Sequence, residues 1–403
     1  MNRLPHALVQ ANGDLFIDIF TRLQNNDPHA STPIKLLDDD PQVRLIRLPC
    51  GPTDRYLPKE MLYGGPIGEF VEHILAFAER EGVRYDLLHG HYADGWEAVT
   101  SLQQRWPHQP PTLLSTHSLA RRKRSDALER GEGTVEELDR RYNFPARINS
   151  EERSLKAANR ILPLSTPEAR ILALSYGAVP QDDPRLTVLP NGIDPSSFPP
   201  PSAGAWRQLR GELGVQDDTF LLLVPSRVDP RKGQANLLRA LDMVREHLLE
   251  HDLRVLFVAW PDPPTAYAKH LESIFAAAGL SQWVITHPPI PHEDMAAFFA
   301  AADGVALPSQ EYFSIAMLEA MLMERPLIAS VHSSGVDVIS SGVQGFLVDH
   351  NDPRALGEAV VQLLELSPAA RQQMGLRARE RVLTGYTWDR VAQRLFRIYG
   401  EVL

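Results

Sequence analysis

The sequence predicts an α/β protein of two Rossmann-like domains with parallel sheets, facing each other across a cleft. Three observations lead there. Short apolar runs of strand type alternate with amphipathic helical stretches along most of the chain. The length of 403 residues favours two or three domains. A proline-rich break from Phe198 through Pro199, Pro200 and Pro201 to Gly204 can continue neither a helix nor a central strand, and it divides the alternation in two.

In the first half, a short helix is expected around residues 7–11 and strands at 15–20, 43–48, 85–89, 112–116, 159–165 and 186–190. The clearest helix there covers residues 68–80, with Phe70, Ile74 and Phe77 on one face. After the break, strands are expected at 220–224, 254–259, 283–286, 304–307 and 327–330. A helix carrying Leu237, Leu241 and Val244 follows the first of them. Another starts at Ser314 as N-cap and buries Ile315, Leu318 and Leu322. The last helix, 387–403, carries Val391, Leu395 and Ile398 on one face and follows Gly385, a helix breaker that can serve as a hinge.

Composition excludes several classes. A net charge of −10 argues against nucleic acid or an anionic membrane as the bulk partner. The single cysteine, Cys50, rules out an intrachain disulfide framework, fits a reducing compartment and reads as a small buried hydrophobe. No run approaches the roughly eighteen apolar residues of a membrane span, and the first residues lack a secretory apolar core. A soluble cytoplasmic protein is the expectation.

The chemistry concentrates in two segments of the second half. Glu311 falls in a loop and Glu319 inside the helix that follows it. A helix N-terminus favours an anion, while carboxylates accept hydrogen bonds, so this pair suits phosphate flanked by hydroxyl groups, as in a sugar nucleotide. On these residues alone, a capped surface helix with two solvated glutamates explains the pattern equally well. The second segment breaks the tie: strand 220–224 leads through a basic loop holding Arg227 and Lys232 into a helix. Arginine offers a forked contact and lysine a point charge, so the two can bracket a diphosphate.

Other clusters read more plainly. Asp38, Asp39 and Asp40 precede Pro41 and mark a solvated turn. Gly64, Gly65 and Gly68 follow no strand, so they form a turn and not a phosphate loop. His89 and His91 lack a third ligand at metal spacing and suit a positioning role. The basic run Arg121, Arg122, Lys123 and Arg124 could be a solvated face or a localisation tag, but it directly follows a strand end, which favours an acceptor-phosphate site. Lys123 leads that assignment, with Arg121 and Arg124 as helpers.

Taken together, the two segments of the second half resemble the C-terminal domain of retaining GT-B glycosyltransferases, in which an Arg and a Lys follow one strand and Glu-x7-Glu spans a later helix start. Further matches are residues 189–194, 345–349 with Asp352 and Pro353, and Tyr386, Thr387 and Trp388. Upstream, residues 47–60, 89–94, 116–123 and 147–152 resemble sucrose-phosphate synthase and its relatives. The resemblance implies an acceptor-binding domain over 1–195, a nucleotide-sugar domain over 204–384, and a helix over 385–403 crossing back to the first domain. It implies retaining, metal-independent transfer of a hexose, with UDP-glucose as donor and a sugar phosphate as acceptor. By resemblance Arg227, Lys232, Glu311 and His117 are catalytic, Ser314 and Glu319 bind the donor, and Lys59, Tyr92, Ser118, Lys123 and Arg147 contact the acceptor.

The chain departs from that pattern in two places. Where the family has Glu-Gly-Phe-Gly, this chain has Glu311, Tyr312, Phe313 and Ser314, so a backbone that needs glycine freedom must be managed by Tyr312 and Ser314. The family also begins with a strand and a Gly-Gly loop that have no counterpart before Phe20, Thr21 and Arg22. Roughly twenty residues of a βα unit are then expected to be missing. The expectation is an open first sheet and weak activity unless an upstream segment or a partner chain completes the domain. Two alternatives stay open: a transferase with another acceptor, such as free fructose or a phosphorylated polyol, or a catalytically weak homologue with a binding or regulatory role.

Overall fold

The computed structural model describes residues 3–28, 30–38, 40–177, 179–180, 182–200 and 204–403. Asp39 of the acidic turn and residues 201–203 of the proline-rich break lie outside them. The chain divides into two compact units, Met1–Pro190 with Val391–Leu403, and Asn191–Arg390. Among the described residues there are twelve strands, β1 to β12, numbered in chain order.

The first unit holds two three-stranded sheets. One is β1 (Ile17–Arg22), β3 (Asp40–Leu48) and β2 (Ile34–Leu37), with β1 parallel and β2 antiparallel to the central β3. Strand β2 was not expected: Ile34 and Leu36 are 47% and 41% exposed, so its apolar residues do not show the buried alternation of a sheet interior. The other sheet is β4 (Leu88–His91), β5 (Thr112–Ser115) and β6 (Arg160–Leu162), all parallel. Side chains link the two sheets' neighbouring segments. Phe20 packs edge-on against Phe77 and Tyr85, at 5.5 and 5.8 Å between ring centres, and the Tyr85 hydroxyl donates to Asp18.

The expected strand at 186–190 is a correction. Arg185 to Leu189 run beside β6 through three backbone bonds, but Leu186 makes only an isolated bridge to Ile161. Pro163 and Pro190 lack the N–H groups a longer ladder would need. The helix Pro66–Glu81 buries Ile74 and Phe77, as its spacing predicts, but it buries Val71 where Phe70 was expected, Phe70 being only partly buried, and it closes at Gly82 in the left-handed region. The final helix Trp388–Gly400 buries Val391, Leu395 and Ile398. Its end belongs to the first unit, where Arg394 donates to the Val188 carbonyl and Arg160 pairs with Glu401.

The second unit is a six-stranded parallel sheet in the order β12-β11-β10-β7-β8-β9. Its strands are β7 (Phe220–Val224), β8 (Leu253–Phe257), β9 (Val284–Thr286), β10 (Gly304–Leu307), β11 (Leu327–Ser330) and β12 (Gly345–Val348). All five residues of β7 are buried, with Leu221 and Leu223 entering one apolar core and Phe220, Leu222 and Val224 the other. A strand apolar on both faces belongs at the centre of a sheet covered by helices on each side. The chain winds from β7 outward through β8 to β9, then returns to β10 and winds the opposite way. The strand order therefore reverses between β7 and β10, and ligands bind beyond the carboxyl ends of such a switch point.

Candidate active site

Arg227 and Lys232 follow β7, and Glu311 follows β10, so the reversal of winding brings them to the same edge of the sheet. Beyond β7 the chain makes a short 3₁₀ turn, Pro230–Lys232, capped by the Asp229 carboxylate, which accepts from the Arg231 N–H at 3.0 Å. Gly233 then takes a φ of +74°, and a Cβ there would lie 1.9 Å from the Pro308 carbonyl oxygen. Only glycine permits both that conformation and that approach. The close contact seats the basic loop against the segment after β10, and the Lys232 ammonium pairs with the Glu311 carboxylate. Lys232 is 15% exposed and Glu311 31%. Buried Gln234 steadies the loop by donating to the Arg227 carbonyl at 2.8 Å and to Ser226 Oγ at 3.1 Å. Arg227 itself is exposed.

The helix Ile315–Leu322 is a core helix, buried from Met317 to Leu322, so the surface-helix reading of this segment fails. Ser314 occupies its N-cap position in an extended conformation, but its side chain makes no capping bond, and its N–H donates instead to Ser334 Oγ at 3.3 Å. Neither Tyr312 nor Ser314 takes a positive φ, so the backbone here does not require the glycine freedom that the sequence comparison suggested. Glu319 is 5% exposed, and one of its oxygens lies 2.8 Å from His292 Nε2. Burial raises its carboxyl above the usual range, against the lowering effect of His292. Sequence reasoning missed His292, which sits 27 positions from Glu319 in the short 3₁₀ turn His292–Asp294 with no motif of its own.

In the first unit the carboxyl ends of β4 and β5 carry a stack of aromatic rings. His91 is the last residue of β4, and its Nδ1 lies 3.2 Å from His117 Nε2 in the loop after β5. His89 bonds to Ser115 Oγ at 2.8 Å and to the Tyr399 hydroxyl at 2.9 Å. Tyr92 opens the next helix at a φ of +62°, a strained choice for a tyrosine, and stacks on His117 with ring centres 4.3 Å apart. Lys59 places its ammonium 4.3 Å from the Tyr92 ring centre. Burial lowers His91 to about 4. Burial, then the charges of His91 and Lys59, lowers His117 to about 3. Both rings are neutral in neutral solution, able to orient polar groups without adding charge.

Arg147 and Ser118 meet beside this stack. Arg147 Nη2 donates to the Ser118 carbonyl at 2.8 Å and to Ser118 Oγ at 3.0 Å, and its Nε donates to Glu151 at 2.8 Å. Glu151 is fully buried and also accepts from the Ala120 N–H and the Tyr176 hydroxyl. Within the basic run, Arg121 pairs with Glu152, Arg122 with Asp126 at 2.7 Å and Arg124 with Asp139 at 3.2 Å, while Lys123 is exposed on the helix Ala120–Glu129. Cys50 is buried, and burial pushes its thiol up to about 11, which leaves it unreactive.

Glu168 lies under the same loop, fully buried, accepting from the Leu164 N–H at 2.7 Å. Burial raises its carboxyl to about 7, with bonds from Thr116 and Leu164 acting the other way. A carboxyl raised above its unfolded value stabilises the fold at low pH, and that contribution is lost as pH rises from about 4.5 through about 7. Glu168→Gln should therefore raise the thermal midpoint at pH 8, at ~2–4 °C per kcal/mol recovered, with the gain shrinking toward pH 5. A gain independent of pH in paired melting curves would refute the assignment.

Comparison with known proteins bears on the family and the fold. The family model described as "Glycosyltransferase Family 4" matches residues 23–197, and that described as "Glycosyl transferases group 1" matches residues 207–381. A D-inositol 3-phosphate glycosyltransferase of Xylanimonas cellulosilytica is 31% identical over 99% of this chain and 89% of its own length. Among solved structures, sucrose-phosphate synthase from Thermosynechococcus elongatus superposes with a TM-score of 0.76 at 26% identity, over 99% of this chain and 91% of that one. Anabaena HepE in complex with UDP-glucose gives a TM-score of 0.62 at 18% identity, over 86% and 84% of the two chains, a likeness of fold. The chain belongs to the group 1 glycosyl transferases and has their GT-B fold. No helix among the described residues is long and apolar enough to cross a membrane.

Proposed function

We propose that the protein is a retaining hexosyltransferase that takes its sugar from a nucleotide sugar, UDP-glucose in the first instance, and delivers it to a phosphorylated sugar or cyclitol. One observation carries the donor half: the Lys232 ammonium held on Glu311 at the point where the sheet reverses its winding. In this reading Lys232 and Arg227 take up charge that develops on the departing diphosphate as the anomeric C–O bond breaks. Glu311 holds donor sugar hydroxyls, and Glu319, with His292, holds the nucleotide ribose. The acceptor hydroxyl attacks from the donor's own face and passes its proton to the leaving phosphate oxygen, so the reaction needs neither a covalent enzyme intermediate nor a metal.

The acceptor half rests on Lys59, Tyr92, Ser118, Lys123 and Arg147, with His117 placed against Tyr92. Lysine and arginine around one loop suit a phosphate group. The sucrose-phosphate synthase resemblance favours a ketose phosphate, and the Xylanimonas relative's name favours inositol phosphate. A panel of nucleotide sugars crossed with fructose, fructose 6-phosphate, glucose 6-phosphate and inositol 3-phosphate separates these. Release of nucleoside diphosphate only with phosphorylated acceptors is expected. No release with any pair would favour the binding or regulatory alternative.

Lys123→Ala tests the phosphate site directly. It should raise KM for the phosphorylated acceptor at least about tenfold while leaving KM for the donor nearly unchanged, since one charge-assisted contact is lost. An equal change for the phosphorylated acceptor and its phosphate-free counterpart would remove Lys123 from the acceptor site.

A further inference from the structure

Three side chains with metal-ligand chemistry converge where β11 and β12 end, apart from the residues assigned above. The two strands are parallel and in register, with Ser330 opposite Val348. The residues that follow, His332 after β11 and Asp349 and His350 after β12, therefore project from adjacent strand ends. One nitrogen of each histidine and one oxygen of Asp349 all lie within 4.8 Å of one another. His332 Nε2 and Asp349 Oδ1 are 3.1 Å apart. Two ligands on a tetrahedral ion with bonds of about 2.0–2.1 Å stand about 3.3 Å from each other, so this pair is close to coordination spacing without rearrangement.

The surroundings fix two of the three ligands. Buried Ser330 Oγ accepts the His332 backbone N–H at 3.0 Å and bonds to His350 Nδ1 at 2.8 Å, so one hydroxyl ties both histidines to the end of β11. The His350 carbonyl is held by Asn236 Nδ2 at 2.9 Å, and Val331 N–H bonds to the Val348 carbonyl at 2.9 Å, so both loops leave the sheet with a fixed backbone. His350 is 6% exposed, whereas the other two are exposed enough to admit an ion.

We infer that His332, Asp349 and His350 form a binding site for a divalent transition-metal ion of the Zn²⁺ class, with water completing its coordination. Two imidazoles and one carboxylate favour such ions over Mg²⁺, which prefers an all-oxygen shell. The ion fastens the loop after β11, which carries Ser334 and its bond to the Ser314 N–H, to the loop after β12. It has no part in the proposed transfer step, so this site and that reaction stand or fall separately.

The test uses the full chain, stripped with chelator and dialysed against ZnCl₂, with bound metal measured by elemental analysis. Co²⁺ substitution gives a second readout through the visible bands of a tetrahedral site. One stoichiometric Zn²⁺ is expected, with no comparable uptake of Mg²⁺. His332→Ala and Asp349→Asn should each weaken Zn²⁺ binding by at least about tenfold and abolish the Co²⁺ bands. Both side chains are nearly half exposed, at 44% and 48%, so loss of binding would not come from unfolding, and matched thermal midpoints without metal check this. Absence of stoichiometric Zn²⁺, or equal binding by wild type and both variants, would overturn the inference.

Discussion

Lys232→Ala is expected to lower kcat about 10²–10³-fold, the usual loss when one preorganised contact to developing charge is removed. The lysine is held in place by three features. Gly233 turns the chain against Pro308, Asp229 caps the short 3₁₀ turn, and Glu311 receives the ammonium. Removing the side chain leaves Glu311 without that partner, but Glu311 is 31% exposed and water can solvate it, so the fold should survive. Steady-state kinetics beside a denaturation curve separates the two effects. Wild-type kcat in the variant would end the diphosphate assignment, and a large loss of stability would shift the lysine to a structural role.

Arg147→Ala should instead strike stability, by about 3–5 kcal/mol, because it strands a carboxylate inside the protein. Glu151 is fully buried, and Arg147 is its cationic partner at 2.8 Å. The same arginine ties down both the carbonyl and the hydroxyl of Ser118, so its loss also releases the loop that carries His117 and Ser118. Arg147→Lys keeps the charge but cannot span Glu151 and Ser118 with a forked group, and should recover part of the stability. Denaturant midpoints for the two variants check this. If Arg147→Ala unfolds like wild type and only raises KM for a phosphorylated acceptor, the arginine acts in the acceptor site alone and its bonds to Glu151 and Ser118 do not hold the core.

These two predictions show where reading the chain succeeded and where it fell short. Lys232 was legible because its chemistry and its neighbours are local: an apolar strand, a basic loop and an amphipathic helix stand in sequence order, and each is recognisable by its own period. Strands 220–224, 304–307 and 327–330 appear in the structure with the same bounds, since fully buried central strands read as unbroken apolar runs. Strand β2 gave no signal, and the segment at 186–190 was read as a longer strand than it forms, because edge strands bury little and their length depends on the partner they meet. Arg147 could be placed in a motif by resemblance, but its bond to Glu151 one helical turn on and to Ser118 across the loop depends on which face of its helix is buried.

The sequence by itself determined the α/β class, the two-part organisation, the segments that carry charge beside helix starts, and the class of transferase those segments resemble. All of these follow from local periodicity, from glycine and proline, and from the chemistry of single side chains. Only the tertiary structure decided which charges meet. Lys232 reaches Glu311 across 79 positions because parallel strands that wind in opposite directions set β7 beside β10. His292 reaches Glu319, and His332 reaches Asp349, for the same kind of reason. Pairing between distant segments depends on strand order and register, which arise from how whole faces pack and leave no signature at the residues that finally touch.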